Sequence, residues 1–183
     1  MTVEPPLYTE IMQFWRVAGP KRWFAKDAAF DEVIRSEYEI VHLAAARGEY
    51  ADWSGTPEGA LALVLLLDQF PRNLYRGSAK AFASDPLARR VASAAIAAGH
   101  DATFSRDLHV FFYLPFEHSE DAADQDRSVA LIGALDLPDY QRFALMHRDL
   151  IQRFGRFPHR NAVLGRGNTP EEAAYLAGDG FKG

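Results

Sequence analysis

The stretch RFGRFPHRN, from Arg153 to Asn161, concentrates arginine and histidine in a chain of 183 residues whose formal net charge is -5. Arginine suits carboxylates and phosphates, because its planar guanidinium can donate two parallel hydrogen bonds to either group. Phe154 and Phe157 alternate with these cations and are expected to draw them into partial burial. The stretch therefore predicts either an ion network with acids of the protein itself or a binding site for an acidic ligand.

Asp68 is the acid that most needs a cation. It ends an apolar stretch, and an unpaired carboxylate in such a place would cost several kcal/mol. Arg72 is close in sequence, but Pro71 is expected to disturb the helical geometry that would make Asp68 and Arg72 neighbours. The alternative partners are Arg153, Arg156 and Arg160.

Charge is unevenly distributed in the second half of the chain. Residues 117–126 are rich in Asp and Glu and contain no Lys or Arg, whereas residues 141–166 are rich in arginine and contain a single acid, Asp149. The two segments could face each other, or each could be a solvated helix face.

The histidines differ in their surroundings. Glu117 and Glu120 flank His118, and a carboxylate beside a histidine favours its protonated form, which can act as a general acid. A hydrolase that uses His118 or His159 with a carboxylate is therefore one functional alternative, although no residue is assigned a catalytic role. His147 lies on an apolar helical stripe and is predicted to be a hydrogen-bonded core residue.

Metal ligands are weakly indicated. Glu39 and His42 have the E-x-x-H spacing of helical di-iron proteins, but the second such motif and the additional helical glutamates are missing. The chain has no cysteine, which removes thiolate ligands and disulfides. We therefore predict no metal and no cofactor.

Composition limits the class of protein. With 48% hydrophobic residues the chain can build a substantial core, and its length predicts a single domain over residues 1–183. The longest apolar run, Ala60 to Leu67, is far shorter than the ~20 residues that cross a bilayer, so we expect no membrane association. A pI of 5.7 argues against nucleic acid as a partner. The lack of cysteine fits a reducing compartment, so a cytoplasmic location is expected; the oligomeric state is left open.

The spacing of apolar residues predicts an all-α fold of seven to nine helices, without strands. Thr56 and Pro57 are typical of an N-cap and a first helical position, and they open a helix that is apolar on all sides from Ala60 to Leu67. Such a helix is buried on most of its surface, so it should form the centre of the core. The other predicted helices cover about residues 8–18, 31–48, 78–84, 86–98, 104–115, 119–135, 139–154 and 170 onwards. Ser119 is the expected cap of the helix over 119–135, and Thr169 with Glu172 has the spacing of a capping box that opens the last helix.

Several long stretches resemble the domain of unknown function 924 (DUF924) family of bacterial and fungal proteins. They are RWFAKDAAFDEVI, LDQFPRNLYRGSAKAFASD, FYLPFEHSED, and RFGRFPHRNAVLGR followed by TPEE. The resemblance covers nearly the whole chain and implies a tetratricopeptide-like, right-handed helical array. It implies no activity, because the family is named for lacking one. A protein-interaction scaffold of tetratricopeptide type is therefore a further alternative, and it should display Trp15, Trp23 and Trp53 on a groove.

The connection from Gly155 to Thr169 is longer than most helix–helix links, and such connections are commonly functional. This long connection and the positions that match the family's motifs together predict a pocket for an anionic small molecule or a peptide carboxylate. The predicted ligand-binding residues are Arg72, Asn73, His118, Arg156, His159, Arg160 and Asn161. The residues assigned instead to a structural ion network are Asp68, Arg153, Glu120 and Gln125.

Overall fold

The structure is a computed structural model that describes residues 6–178 and 180–181. The described residues form helices and turns, with no strand among them, which confirms the all-α class. They group into two compact units. Of the described residues, the N-terminal unit comprises those up to Arg76 together with Lys80–Pro115, and the C-terminal unit comprises Gly77–Ala79 and those from Phe116 onwards. The tetratricopeptide-like arrangement and the single domain stay predictions.

The α-helices follow one another in short succession along both units. They are α1 Leu7–Ala18, α2 Pro20–Trp23, α3 Ala28–Ala46, α4 Pro57–Val64, α5 Phe70–Leu74, α6 Asp85–Ala97, α7 Arg106–His109, α8 Leu114–Glu117, α9 Ala122–Gly133, α10 Pro138–Phe154 and α11 Pro170–Ala177. Short 3-10 turns lie at Ala51–Gly55, Ala79–Phe82, Asp101–Thr103, Val110–Phe112 and Pro158–Arg160. None of the helices in the described part of the chain is long and apolar enough to span a membrane.

The predicted core helix is present. Thr56 caps α4 by accepting a hydrogen bond from the backbone N–H of Gly59 at 3.2 Å, and Pro57 occupies the first turn. The side chains from Ala60 to Leu67 are at most 3% exposed, so this helix lies at the centre of the N-terminal unit as predicted.

The sequence did not reveal that α4 widens into a π-helical turn over Leu65–Gln69 before α5 begins. A π-turn changes which backbone carbonyls are bonded within the helix, and side chains from other elements bind two of them. His42 Nδ1 donates to the carbonyl of Leu66 at 2.8 Å, and Ser84 Oγ donates to that of Leu67 at 2.6 Å. His42 is thus a structural residue, and no cluster of metal-ligating side chains is found among the described residues.

The prediction of one continuous helix over residues 104–115 is wrong. The segment is broken into α7, the 3-10 turn Val110–Phe112 and the start of α8. The three residues of that turn are all 0% exposed. An amphipathic α-helix buries only one stripe, whereas a tight turn can place consecutive side chains in the core, so burial of this apolar run favours the break.

Two helix starts in the C-terminal unit also differ from prediction. Asp121, not Ser119, caps α9, because its carboxylate accepts from the N–H groups of Ala123 and Asp124 at 2.9 and 3.1 Å. Helix α10 begins at Pro138 rather than Asp139 and packs against α9. Helix α11 begins with the predicted capping box of Thr169 and Glu172.

Candidate functional site

Arg72 lies between two buried carboxylates of the N-terminal unit. Its Nη1 is 3.2 Å from Asp68 Oδ1 and 3.0 Å from Asp85 Oδ1, and its Nη2 is 3.1 Å from Asp85 Oδ2. Asp68 is 0% exposed and Asp85 is 5% exposed. The expectation that Pro71 separates Asp68 from Arg72 is wrong, because Pro71 lies in the first turn of α5, where a missing N–H is tolerated and the chain stays helical.

Asn73 also binds an acid of the protein. Its Nδ2 donates to Asp31 Oδ1 at 2.7 Å, and Arg76 Nη2 donates to the same oxygen at 2.9 Å. The two predicted ligand-binding residues of the N-terminal unit, Arg72 and Asn73, are therefore engaged in internal ion and hydrogen-bond networks.

Helix α11 of the C-terminal unit is held by two arginines of the RFGRFPHRN stretch. Arg156 donates from Nε and Nη2 to the two carboxylate oxygens of Glu172 at 2.6 and 2.8 Å, and also from Nη2 to the carbonyl of Gly167 at 2.9 Å. The hydrogen bonds from Arg156 lower the pKa of Glu172 to about 2. Arg153 pairs with Glu171 at 2.8 Å, with both side chains more than half exposed. These contacts correspond to the ion-network alternative for both arginines.

Glu120 confirms that the acidic segment faces the arginine-rich one. Arg166 donates from Nη1 and Nη2 to the two oxygens of Glu120 at 2.7 and 2.8 Å, and the backbone N–H of Phe157 donates to Oε1 at 2.8 Å. Burial alone would raise the pKa of Glu120, but these hydrogen bonds lower it below its ordinary value. Asn161 joins the same network, because its Oδ1 accepts from Arg166 Nε at 2.9 Å and its Nδ2 donates to Asn168 at 2.8 Å.

Replacing Glu120 by glutamine is expected to lower the free energy of unfolding by about 1–2 kcal/mol, because the neutral amide keeps the shape but loses a charge-assisted pair. Urea unfolding at pH 7 measures this difference. Glu171→Gln, which removes an exposed carboxylate of the same unit, is the control and should change the midpoint little. Equal effects of the two substitutions would contradict a structural role for Glu120.

Gln125 positions the segment that carries Glu117 and His118. Its buried Nε2 donates to the backbone carbonyls of Glu117 and Ser119, each at 2.6 Å. Predicted as part of an ion network, it contributes through neutral hydrogen bonds to backbone groups.

His147 is oriented by two acceptors. Its Nδ1 is 2.9 Å from the carbonyl of Phe143 and 3.2 Å from Glu117 Oε1. A carbonyl only accepts, so Nδ1 carries the hydrogen and the neutral ring keeps its lone pair on Nε2. Burial is the largest cause that lowers the pKa of His147 to about 3; the hydrogen bond to the carbonyl of Phe143 opposes it, and His118, Arg160 and His159 act in the same direction as burial. The prediction of a hydrogen-bonded core histidine is confirmed, since the residue is 7% exposed.

Three histidines and two phenylalanines form a cluster in the C-terminal unit, which we call the histidine cluster: His118, His147, His159, Phe157 and Phe181. The ring of His147 lies 6.4 Å from that of His118 and 5.4 Å from that of Phe157. The ring of His159 lies 5.6 Å from that of Phe157.

The environment of His159 is cationic. Its pKa is lowered to about 4, first by burial and then by Arg160 and Arg166, while Glu120 acts in the opposite direction without cancelling them. Its Nδ1 is buried and has no hydrogen-bond partner among the described residues. The imidazole is therefore neutral at pH 7 beside positive charge.

Arg160 borders the histidine cluster from the 3-10 turn Pro158–Arg160. It is 6% exposed, its guanidinium carbon lies 4.4 Å from the centre of the Phe157 ring, and its Nη1 donates to the carbonyl of His118 at 3.0 Å. A buried guanidinium and neutral imidazoles can together receive an anion or exchange a proton with one.

The structure separates the predicted ligand-binding residues into two sets. Arg72 and Asn73 belong to the N-terminal unit, whereas the C-terminal unit brings His118, His159 and Arg160 together beside the Arg156 and Asn161 networks. Sequence reasoning missed the contact of Glu117 with His147, the pairing role of Arg166 and the position of Phe181. Glu117 in the PFEHSE stretch was recognised as an acid near a histidine, but because His118 is its neighbour in sequence, His118 and not His147 was expected to be its partner.

A groove of about 630 Å³ runs along α10 and α11 of the C-terminal unit. Leu145, Met146, Leu150 and Tyr175 form its apolar lining, and Arg153, which was predicted to belong to an ion network, also lines it.

Two comparisons with known proteins find a match, and one of them gives a family. Residues 11–180 match the family model described as "Bacterial protein of unknown function (DUF924)". The chain is also similar to a solved structure of a protein of unknown function from Agrobacterium tumefaciens, with 53% sequence identity, a TM-score of 0.90, and coverage of 93% of this chain and 96% of that one. The comparison with curated proteins gives no match. Neither description states an activity.

Proposed function

Because this chain belongs to the DUF924 family, whose description states no activity, we propose its function from the geometry alone: the histidine cluster and Arg160 bind the carboxylate or phosphate of a small anionic ligand. The observation that carries the proposal is the cationic environment of His159. Burial lowers the pKa of this residue most, Arg160 and Arg166 lower it as well, and Glu120 acts in the opposite direction. A bound anion would add negative charge beside these two guanidinium groups.

Two of the predicted ligand-binding residues of this unit, Arg156 and Asn161, are not proposed to contact the ligand. Arg156 is bound to both oxygens of Glu172, and Asn161 is bound to Arg166 and Asn168. They support the site by holding its neighbours in place. The proposed ligand-contacting residues are therefore His118, His159 and Arg160.

Anion binding to the histidine cluster should be coupled to the uptake of a proton. An anion beside His159 favours the imidazolium form, so its pKa of about 4 rises on binding and the complex takes up a proton. By linkage, affinity then increases as pH falls from 7 toward 5, by at most about tenfold per pH unit for one proton.

Titration with sodium sulfate tests the proposal, because the charge of sulfate is constant over this pH range. We expect saturable shifts of the His159 ring signals in NMR spectra and tighter binding at pH 5 than at pH 7. His159→Gln should remove the pH dependence, and Arg160→Met should weaken binding. Arg153→Ala, which removes an exposed cation of the same unit, is the control. The proposal fails if neither sulfate, phosphate nor acetate gives saturable shifts.

The hydrolase alternative has less support. In the C-terminal unit, Glu117 Oε1 lies 3.2 Å from Nδ1 of His147, which is not one of the two histidines that this alternative invokes. A pKa of about 3 makes His147 a weak base at neutral pH, whereas an efficient general base has a pKa near the working pH.

The scaffold alternative also loses one of its expected features. Trp15 is 0% and Trp23 is 4% exposed, and their rings stack at 5.9 Å inside the N-terminal unit, so these two residues do not line a groove. Trp53 is partly exposed and packs on Tyr8 and Tyr50. The groove along α10 and α11 is a surface that favours binding of a peptide.

A further inference from the structure

The segment after α11 places an aromatic ring on the histidine cluster. The Phe181 ring lies 5.1 Å from that of His147 and 5.2 Å from that of His159, with interplanar angles of 68° and 88°. It also packs against the small core formed by Leu150, Ile151 and Phe157. One ring therefore covers two of the three histidines.

Tyr175 anchors this ring. The backbone N–H of Phe181 donates to Tyr175 Oη at 2.8 Å, and the Tyr175 ring packs on Phe154 at 5.2 Å. Tyr175 belongs to α11, which the Arg156–Glu172 pair holds in place. The ion pair predicted from the sequence thus helps to position a ring that the sequence did not single out.

Gly180 is required for the same conformation. A Cβ atom at this position would overlap the carbonyl oxygen of Tyr175 and would lie 2.7 Å from Tyr175 Cε1. The first of these neighbours is backbone and cannot rotate away. Any larger residue at position 180 must therefore displace the segment that carries Phe181.

We propose that Phe181 is a specificity-determining residue: it closes one side of the histidine cluster, limits the bound ligand to a small anion and excludes anions with a bulky group beside the charge. This inference rests on the proposed anion-binding function. The cause is steric, since the phenyl ring lies in edge contact with the rings of both His147 and His159. Removing or displacing the ring should admit larger ligands without changing the charged contacts.

Methanesulfonate and benzenesulfonate test the proposal, because they share one head group and one charge and differ in size. We expect the unaltered protein to bind methanesulfonate and to discriminate against benzenesulfonate. In Phe181→Ala the affinity for benzenesulfonate should rise by about tenfold, the order expected when a pocket gains room for a group of this size, while that for methanesulfonate stays within about twofold. Gly180→Ala should have the same effect with the phenyl ring retained.

Phe143→Ala is the matched control, because it removes a phenyl ring that is 42% exposed on α10. It should leave the discrimination unchanged, and thermal melting should show that all three variants are folded. Equal binding of the two sulfonates by the unaltered protein would overturn the role of Phe181 while leaving anion binding intact. Binding of neither sulfonate by any of the proteins, the two ring-displacing variants included, would overturn the proposed function itself.

Discussion

Replacing Arg72 by methionine is expected to lower the melting temperature of the protein by about 10 °C. Asp68 and Asp85 are buried against its guanidinium, and the substitution leaves both carboxylates without that charge. Removing one partner of a buried pair costs about 3–5 kcal/mol, and at this chain length each kcal/mol shifts the midpoint by roughly 2–4 °C. Differential scanning calorimetry measures the shift.

Arg47→Met is the matched control for this experiment. Arg47 pairs with Glu49 in the same N-terminal unit, but their side chains are 60% and 53% exposed. Solvent screens such a pair, so its loss should hardly move the midpoint. A decrease for Arg72→Met no greater than that for Arg47→Met would show that the buried carboxylates do not depend on Arg72.

Protein stability is expected to decrease as pH falls from 7 to 5, and His147 should account for about 2 kcal/mol of that decrease. Its pKa is about 3 in the folded protein and near 6.5 in an unfolded chain. Between these values the unfolded state binds a proton that the folded state does not, so acid favours unfolding. His159, with a pKa of about 4 and partial exposure, should add a smaller amount, and His42, whose pKa burial also lowers, acts in the same direction.

His147→Asn isolates the contribution of one histidine. Asparagine places an N–H donor near the position of Nδ1, which donates to the carbonyl of Phe143, and it does not titrate. Urea unfolding at pH 7, 6 and 5 should show a pH dependence that is weaker by about 2 kcal/mol in this variant. Identical pH dependence in the two proteins would mean that His147 has the same pKa in the folded and unfolded states, and would contradict this prediction.

Measurements between pH 7 and pH 5 report the contribution of the histidines to stability and not that of the paired carboxylates. The pKa of Glu172 is about 2 and that of Glu120 is also lowered, so their contributions are complete above the ordinary carboxyl range and are lost only as pH falls below it. The free energy of unfolding at pH 3 should therefore be lower than at pH 5. Glu172→Gln should change the pH dependence of the free energy of unfolding only below about pH 4.5.

Local features could be predicted from the sequence because they depend on neighbouring residues. The N-cap Thr56, the capping box at Thr169 and the buried run from Ala60 to Leu67 are present where the pattern predicts them. Each rests on interactions within one or two helical turns, so the surrounding fold changes them little.

For the charged residues, the sequence predicted the sign of the partner's charge but not which residue the partner is. An acidic segment and an arginine-rich segment imply attraction, and Glu120 with Arg166 realises it. Which acid binds which arginine depends on distances set by the packing of α9, α10 and α11. The sequence placed Arg156 among ligand-binding residues, whereas in the structure Glu172 approaches it from α11.

By itself, the sequence determined the all-α class, the central buried helix and the presence of cations in need of acids, because periodicity, capping and charge are properties of the chain. Tertiary structure alone decided that a π-helical turn contains Asp68, the partner of Arg72, that Glu117 contacts His147, and that Phe181 packs on two histidines. These contacts join side chains through the path of the backbone in space, and a one-residue change in helical phase would redirect every one of them.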